Sequence, residues 1–416
     1  MISSQISTPL SQPMAKSPLS TLVSVTSLFF MWGFITSLND ILIPHLKGVF
    51  SLNYTQAMLI QFCFFGAYFL ISVPAGQVVE RFGFKRGVSI GLATAAIGSL
   101  LCLPAATLST SWIFLTALFI LASGITLLQV AANPLVTLLG SPETASSRLN
   151  MTQAFNSLGT TVAPLFGAWL IFGGHEENAD VNSVIVPYVA IALTLVLMAV
   201  LFLKLRLPKH LERDAAQEVA TEAPTLSVFR HHRLALGVIA IFVYVGAEVA
   251  IGSLLVNYIG LPQVMGYSER MAAPYIAYYW GGAMVGRFIG AVLMQRISAA
   301  RILTVNSIGS VALIALSLMT TGSVSMWSIL LVGLCNSIMF PTIFSLAIRG
   351  LGAETSRGSG MLCLAIVGGA LIPLLQGILA DLIGLPLSFL VPLICYLYIA
   401  FFGIAAYRSL HAEQQA

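Results

Sequence analysis

Apolar runs of about 20 residues recur along the whole chain and constrain its fold more than any other feature. A helix needs roughly 20 apolar residues to cross a bilayer. The runs are apolar on all sides rather than at alternate positions, which argues against an outer-membrane barrel. We therefore expect an all-α polytopic membrane protein with twelve transmembrane helices, at 21–46, 56–79, 86–107, 112–139, 148–173, 184–204, 234–258, 271–295, 300–320, 326–348, 358–381 and 385–407.

Charged residues are too scarce for a water-soluble protein. They make up 8% of the chain, where a soluble domain carries about 25%. The five cysteines have no paired metal or redox spacing, so no cofactor and no metal site is expected. Basic residues are not interleaved with aromatic residues, which argues against binding to nucleic acid.

The distribution of Lys and Arg predicts the topology. With the N-terminus in the cytoplasm, all 19 of these residues except Lys47 and Arg270 fall on the cytoplasmic side. Both termini are therefore predicted to be cytoplasmic. The first 20 residues do not resemble a signal peptide, and the short loops favour a multi-pass protein of a bacterial inner membrane. The predicted segments are a tail at 1–20, a half at 21–204, a linker at 205–233, a half at 234–407 and a tail at 408–416.

The two predicted halves are related in sequence. Pro134 and Pro341 are 207 residues apart, and Pro164 and Pro373 are 209 residues apart. A shared offset close to half the chain predicts two pseudo-symmetric six-helix halves of parallel topology, an arrangement that resembles the major facilitator fold.

Two carboxylates lie well inside predicted spans: Asp40 in span 1 and Glu248 in span 7. A central Asp costs about 2.5–3.5 kcal/mol on membrane-insertion scales, so such residues indicate function. A carboxyl without a neighbouring base could carry a proton, and one beside amide oxygens could bind Na⁺. The structural alternative is a packing hydrogen bond or, for Asp40, a water-exposed position near the outer end of its helix.

Amide and indole side chains accompany these carboxylates. Amides offer donors and acceptors without net charge, which suits a neutral polyhydroxylated solute, and an indole face can stack on a sugar ring. The alternatives are interhelical hydrogen bonds and core packing. The candidate substrate-binding residues are Asn39, Gln129, Asn133, Gln153, Asn156, Trp280, Trp32, Asn257 and Asn336.

The segment GQVVERFGFKR, which begins at Gly76, predicts a gate between spans 2 and 3. Its glycines permit close helix approach and a tight turn, and its charges can form ion pairs that open and close during transport. A basic loop that only sets topology would look similar. The candidate gating residues are Gly76, Glu80, Arg81, Gly83, Arg86 and, in span 8, Arg287.

Several segments closely resemble the fucose, galactose and glucose proton-symporter family of the major facilitator superfamily. They include FFMWGFITSLNDILIPHLKG, LLQVAANPLVTLLG, RLNMTQAFNSLGTTVAPLFG, YVGAEVAIGSLLVNY and YYWGGAMVGRFIG. Fucose symporters of that family carry an Asp in the LND motif and a Glu in an LETAANP motif. Here the first is Asp40, whereas Gln129 occupies the second position, and Glu248 is typical of the glucose/galactose branch.

The resemblance implies uptake of a neutral hexose of the glucose/galactose type by symport with a cation, expected to be H⁺. Uptake of N-acetylglucosamine or fucose, and coupling to Na⁺, remain open. A proton-coupled drug antiporter and a transporter-like sugar sensor are more remote alternatives. The histidines lie outside the predicted spans or at their ends, so an enzyme is not expected. The protein is expected to be a monomer.

Overall fold

The computed structural model describes the backbone of residues 19–49, 54–108, 110–172, 182–205 and 231–415. Within these stretches it does not describe the side chains of 19–20, 38–49, 54–64, 106, 111, 164–172, 182–184, 186 and 413–415. The predicted N-terminal tail up to residue 18 and most of the predicted linker lie outside the described residues. The predicted tail at 408–416 continues the last helix as far as Gln415.

The N-terminal half consists of five long helices. Their bounds are α1 Leu19–Val49, α2 Tyr54–Thr107, α3 Ser111–Leu138, α4 Ala145–Phe172 and α5 Asn182–Lys204. The 54-residue α2 contains both the second and the third predicted spans. Its two limbs are separated at Gly83, where the backbone has φ 81° and ψ 163°, a conformation that is essentially confined to glycine.

The C-terminal half has the same pattern with more breaks. Its helices are α6 His232–Ile259, α7 Ile276–Leu293, α8 Ala299–Met319, α9 Gly322–Asn336, α10 Met339–Ile348, α11 Thr355–Leu364, α12 Gly368–Ile383 and α13 Leu390–Gln415. The short helix Glu269–Ala272 and a 3₁₀ turn precede α7, and Leu385–Ser388 precedes α13. Predicted span 10 is thus divided into α9 and α10, and span 11 into α11 and α12.

In the described part of the chain, nine helices are long and apolar enough to cross a membrane. One of them, Phe65–Ala105, includes residues from both limbs of α2. A shorter apolar stretch, Thr21–Ser37, lies in α1. Helical structure is therefore present at each of the predicted spans.

Small residues allow the helices of each half to pack at close range. In α2, a Cβ atom on Gly91 would lie 2.8 Å from the backbone nitrogen of Leu128 in α3, so this crossing requires glycine. Helix α1 packs closely against α4. The Asn156 amide of α4 donates to the Phe29 carbonyl oxygen of α1 at 2.9 Å. Such contacts take the place of a hydrophobic driving force between helices in lipid.

Arg148 stabilises the turn between α3 and α4. Its guanidinium donates to the carbonyl oxygens of Thr137 at 2.7 Å and Ser141 at 3.0 Å. Because the last carbonyls of a helix have no partner within it, a cation at this position satisfies them and opposes the negative end of the helix dipole. Arg148 is therefore held within its own half.

Candidate functional site

The two halves meet near one end of the bundle, here called the basic end. It is formed by the turns at 80–86, 139–148, 294–301 and 348–357, which together line a cavity of about 730 Å³ between the halves. These turns contain the basic residues Arg81, Lys85, Arg86, Arg148, Arg296, Arg301, Arg349 and Arg357.

Short polar side chains join α4 to the C-terminal half next to this cavity. The hydroxyls of Ser146 and Ser345 are 2.7 Å apart. Asn150 donates through Nδ2 to the Thr342 hydroxyl in α10 at 3.1 Å. These side chains are buried, so the halves are closed against each other here.

An ion pair and two glycines form a second inter-half contact, between α2 and α11. Arg357 Nε lies 2.8 Å from Glu80 Oε2. A Cβ on Gly76 would lie 3.0 Å from the Ser356 carbonyl oxygen, and one on Gly360 would lie 2.7 Å from that of Ser72. The structure therefore brings together Gly76 and Glu80 of the predicted gate, and sequence reasoning did not identify their partner Arg357.

Glu143, in the turn before α4, adds an electrostatic link across the halves. Hydrogen bonds from its own backbone amide and from Ser141, together with the charges of Arg349 and Arg148, lower the pKa of this carboxyl. Arg349 belongs to the C-terminal half, so an ionised Glu143 favours the closed arrangement.

The remaining gate candidates lie apart from these contacts. Gly83 forms the bend between the limbs of α2. Arg81 is exposed and lies over the Phe82 ring, 5.5 Å from its centroid, and Arg86 is exposed.

Arg287 forms an inter-half contact deeper in the bundle. From α7 it donates through Nε to the Ser337 carbonyl oxygen at 3.0 Å, and its NH1 group donates to the Ser157 hydroxyl on α4. The carbonyl of Ser337 is available because Pro341, four residues later, has no N–H to donate to it. Arg287 thus connects a helix break in one half to a side chain in the other.

Glu248 lies in a cluster of tyrosines within the C-terminal half. The hydroxyl of Tyr279 donates to the Glu248 backbone oxygen at 3.2 Å and accepts from Asn336 Nδ2 at 2.7 Å. The Tyr244 side chain, one helical turn before Glu248, interacts with its carboxyl and donates to the Asn336 carbonyl oxygen at 3.2 Å. Glu248 Oε1 is inaccessible to solvent and has no hydrogen-bond partner among the described residues.

Four of the predicted amides have partners within the N-terminal half. Gln129 donates to the Tyr68 hydroxyl at 2.5 Å, Gln153 donates to Asn133 Oδ1 at 3.3 Å, and Asn156 bonds the backbone of α1. Asn133 and Gln153 are buried, whereas Gln129 and Asn156 are half-buried. The bond from Gln129 to Tyr68 joins α3 to α2, and the bond from Gln153 to Asn133 joins α4 to α3.

The two candidate indoles lie in different environments. Trp32 is only 7% exposed and packs against Phe29 with the ring centroids 5.3 Å apart. Trp280 is 45% exposed, and its ring covers Gly252 of α6, where a Cβ would lie 3.0 Å from Cζ2. Asn257, near the end of the same helix, is also exposed.

Two predicted residues cannot be placed. The side chains of Asn39 and Asp40 lie outside the described residues, although their backbone is part of α1. Among the described residues, His, Cys, Asp and Glu form no group of three that could hold a metal ion.

Sequence reasoning missed the partners of the candidate residues more often than the residues themselves. Tyr244 precedes Glu248 by four positions and so shares its helix face, a signal that was available. Tyr279, Tyr396 and Ser157 come from other helices, and nothing in the local sequence indicates them.

Comparison with known protein families gives a match over most of the chain. Residues 25–366 match the model of the Major Facilitator Superfamily. Over 391 residues the chain is 58% identical to a glucose/galactose transporter of Brucella abortus, covering 93% of this chain and 94% of that protein. It is 34% identical over 406 residues to an L-fucose-proton symporter of Escherichia coli, covering 92% of each.

A solved structure has the same fold. It is that of a major facilitator superfamily transporter, FucP, in the outward conformation, and it superposes with a TM-score of 0.87 at 33% identity. The superposition covers 93% of this chain and 98% of that one.

Proposed function

Because the chain belongs to the Major Facilitator Superfamily, and within it to the family of bacterial sugar symporters, we propose that it imports a neutral hexose of the glucose/galactose type by symport with a cation. The observation that carries this proposal is the 58% identity to a glucose/galactose transporter over almost the whole chain. The protein is a multi-pass protein of the inner membrane. A single chain provides both halves of the proposed site, so a monomer suffices.

In this proposal twelve helices cross the membrane and the basic end faces the cytoplasm, as expected for loops rich in Lys and Arg. The inter-half contacts at the basic end then make the described conformation closed to the cytoplasm. The similarity to FucP in its outward conformation supports this assignment. Transport requires the halves to rock so that these contacts separate and the opposite end closes.

The sugar binds between the halves, on the outer side of the contacts made by Arg287. Gln129 and the Asn133–Gln153 pair present amides from α3 and α4, and Trp280 presents an exposed indole from α7. Amides can bond hydroxyls in either direction, and the indole covers the apolar face of a pyranose ring. We retain Asn39, Asn156, Trp32, Asn257 and Asn336 from the sequence-based set as further candidates.

Glu248 carries the coupling cation, with Asp40 as a second candidate that binds either the cation or sugar hydroxyls. Glu248 Oε1 is buried and has no hydrogen-bond partner among the described residues, which favours a state in which the carboxyl is loaded. We propose H⁺ as the cation, in line with the name of the fucose relative, and Na⁺ as the alternative.

Uptake into cells that lack their own hexose carriers tests the substrate and the cation together. Cells expressing the protein are offered labelled glucose, galactose, mannose, fucose or N-acetylglucosamine, with and without Na⁺ and with a protonophore. The proposal expects accumulation of glucose and galactose that the protonophore abolishes. Accumulation that depends on Na⁺ and withstands the protonophore assigns the coupling to Na⁺, and uptake of none of the hexoses contradicts the proposal.

A further inference from the structure

Six buried polar atoms in residues 234–407 have no hydrogen-bond partner among the described residues, and four of them belong to Glu248 and to residues near it. These four are Glu248 Oε1, Asn336 Oδ1, Ser337 Oγ and the Tyr396 hydroxyl. Three of these residues share neighbours, because Tyr279 bonds the backbone oxygen of Glu248 and the side chain of Asn336, and the Tyr396 hydroxyl interacts with the Asn336 side chain and lies near the charge of Glu248. A buried polar atom without a partner is costly, so such a concentration points to a ligand.

The orientation of the Asn336 amide follows from Tyr279. A phenol has one proton, and that of Tyr279 is donated to the Glu248 backbone oxygen. The same hydroxyl can then only accept from Asn336, which assigns Nδ2 to the 2.7 Å contact. Oδ1 must point elsewhere, and it needs a donor or a cation.

A distortion between α9 and α10 lies beside the cluster. Ser337 and Ile338 keep αR backbone angles, so the helix continues through them with disturbed hydrogen bonding. Pro341 has no N–H for the Ser337 carbonyl four residues earlier. Tyr244 and Arg287 already satisfy the carbonyls of Asn336 and Ser337, which leaves the side-chain oxygens.

We propose that Asn336 Oδ1 and Glu248 Oε1 together form the site of the coupling cation, and that Asn336 is therefore a cation-site residue rather than a sugar ligand. This inference rests on the proposed function of Glu248. A proton on Glu248 converts one carboxyl oxygen from a hydrogen-bond acceptor into a donor. This O–H group can then donate to Asn336 Oδ1. A bound Na⁺ satisfies both oxygens directly, since hard cations prefer oxygen ligands.

The titratable and charged groups around Glu248 come from four helices. Tyr244 lies on its own helix, Tyr279 and Arg287 on α7 and Tyr396 on α13, and Tyr396 in turn has Cys335 of α9 and its chain neighbour Cys395 beside it. Arg287 is the only one of these that is cationic at neutral pH, and its guanidinium is engaged by Ser337 and Ser157.

Substitution Asn336→Leu tests the proposal, because leucine has a similar volume and lacks Oδ1. Loss of one partner should weaken loading of the carboxyl about tenfold. The pH of half-maximal accumulation should shift by about one unit to lower pH, or the half-saturating Na⁺ concentration should rise by the same factor if Na⁺ drives uptake. Sugar exchange in de-energised vesicles should keep its KM, since the sugar site is intact.

Two further variants make the test specific. Asn306→Leu, on α8, makes the same chemical change outside the cluster and should leave both readouts unchanged. Tyr279→Phe leaves Oδ1 in place but frees the amide to rotate, and it should shift the pH or Na⁺ dependence in the same direction by less. If Asn336→Leu does not reach the membrane, the pH or Na⁺ dependence of Tyr279→Phe tests the proposal instead.

The opposite result is equally clear. An Asn336→Leu protein that shows a raised sugar KM in exchange and an unchanged pH and Na⁺ dependence would place Asn336 in the sugar site and overturn the proposal. If the unmodified protein accumulates no hexose, the proposed function fails first, independently of Asn336.

Discussion

Arg357 Nε lies 2.8 Å from Glu80 Oε2 and joins α11 of the C-terminal half to α2 of the N-terminal half. Both side chains are mostly buried, with relative exposures of 15% and 24%. The pair is flanked by the close approach of Gly76 to Ser356. Because it can exist only while the basic end is closed, its energy contributes directly to the balance between the two orientations of the transporter.

Glu80→Gln should shift that balance toward opening at the basic end. The loss leaves the Arg357 guanidinium without its carboxylate, and for a partly buried pair we expect a cost of about 1–2 kcal/mol to the closed state. The population ratio then changes by roughly tenfold. Labelling of a cysteine placed at Ser345, from the cytoplasmic side of inverted vesicles, measures the change.

Glu354→Gln is the matched control for this variant. Glu354 Oε2 also has a partner at 2.8 Å, His231 Nε2, but His231 directly precedes α6, so this contact does not join the two halves. Its loss should leave the labelling rate unchanged. Equal rates for Glu80→Gln and the unmodified protein would show that the pair does not hold the end closed.

Glu248→Gln should uncouple transport. Glutamine keeps the size of the side chain and cannot exchange a proton, so accumulation against a gradient should be lost while exchange of labelled for unlabelled sugar across the membrane continues. Uptake in energised cells and counterflow in vesicles measure the two activities. Glu269→Gln, an exposed acid in the same half, should retain both, and normal accumulation by Glu248→Gln would rule it out as the coupling site.

The positions of the helices were predictable from the sequence because each requires a long apolar run, and these runs are local. The partners of the site residues were not. Trp32 packs against Phe29, and its role in sugar stacking stays a prediction, because whether a face of α1 meets a cavity or another helix depends on tertiary packing. Glu248 was identified by its cost in the membrane, but two of the tyrosines that surround it, Tyr279 and Tyr396, come from other helices.

The breaks within helices were also missed, although one of them has a signal in the sequence. Pro341 has no N–H for the Ser337 carbonyl four residues earlier, and the helix is distorted at Ser337 and Ile338. The break is stabilised by distant groups, namely Arg287 and Tyr244, which bond the released carbonyls. By contrast the bend at Gly83 was predicted as a tight turn, because glycine marks it directly.

Gly83→Ala should destabilise the fold. At φ 81° and ψ 163° a Cβ is strained, and the cost is about 1–3 kcal/mol. The melting temperature of the purified protein in detergent should fall. Gly377→Ala is the control, because Gly377 lies in α12 with no atom within 4 Å of the added Cβ, and its melting temperature should be unchanged or higher. An equal effect of the two substitutions would argue against strain at Gly83.

Gln129→Ala should weaken sugar binding without changing the coupling. The amide is half-buried in α3 and is oriented by the Tyr68 hydroxyl, and no described residue donates to its oxygen, which can therefore accept from a sugar hydroxyl. Loss of one such hydrogen bond should raise the KM for uptake about tenfold, with the pH and Na⁺ dependence unaltered. Gln295→Ala, at an exposed position, should keep the original KM. A change in cation dependence with an unaltered KM would instead assign Gln129 to the coupling pathway, at the position where fucose symporters carry a carboxylate.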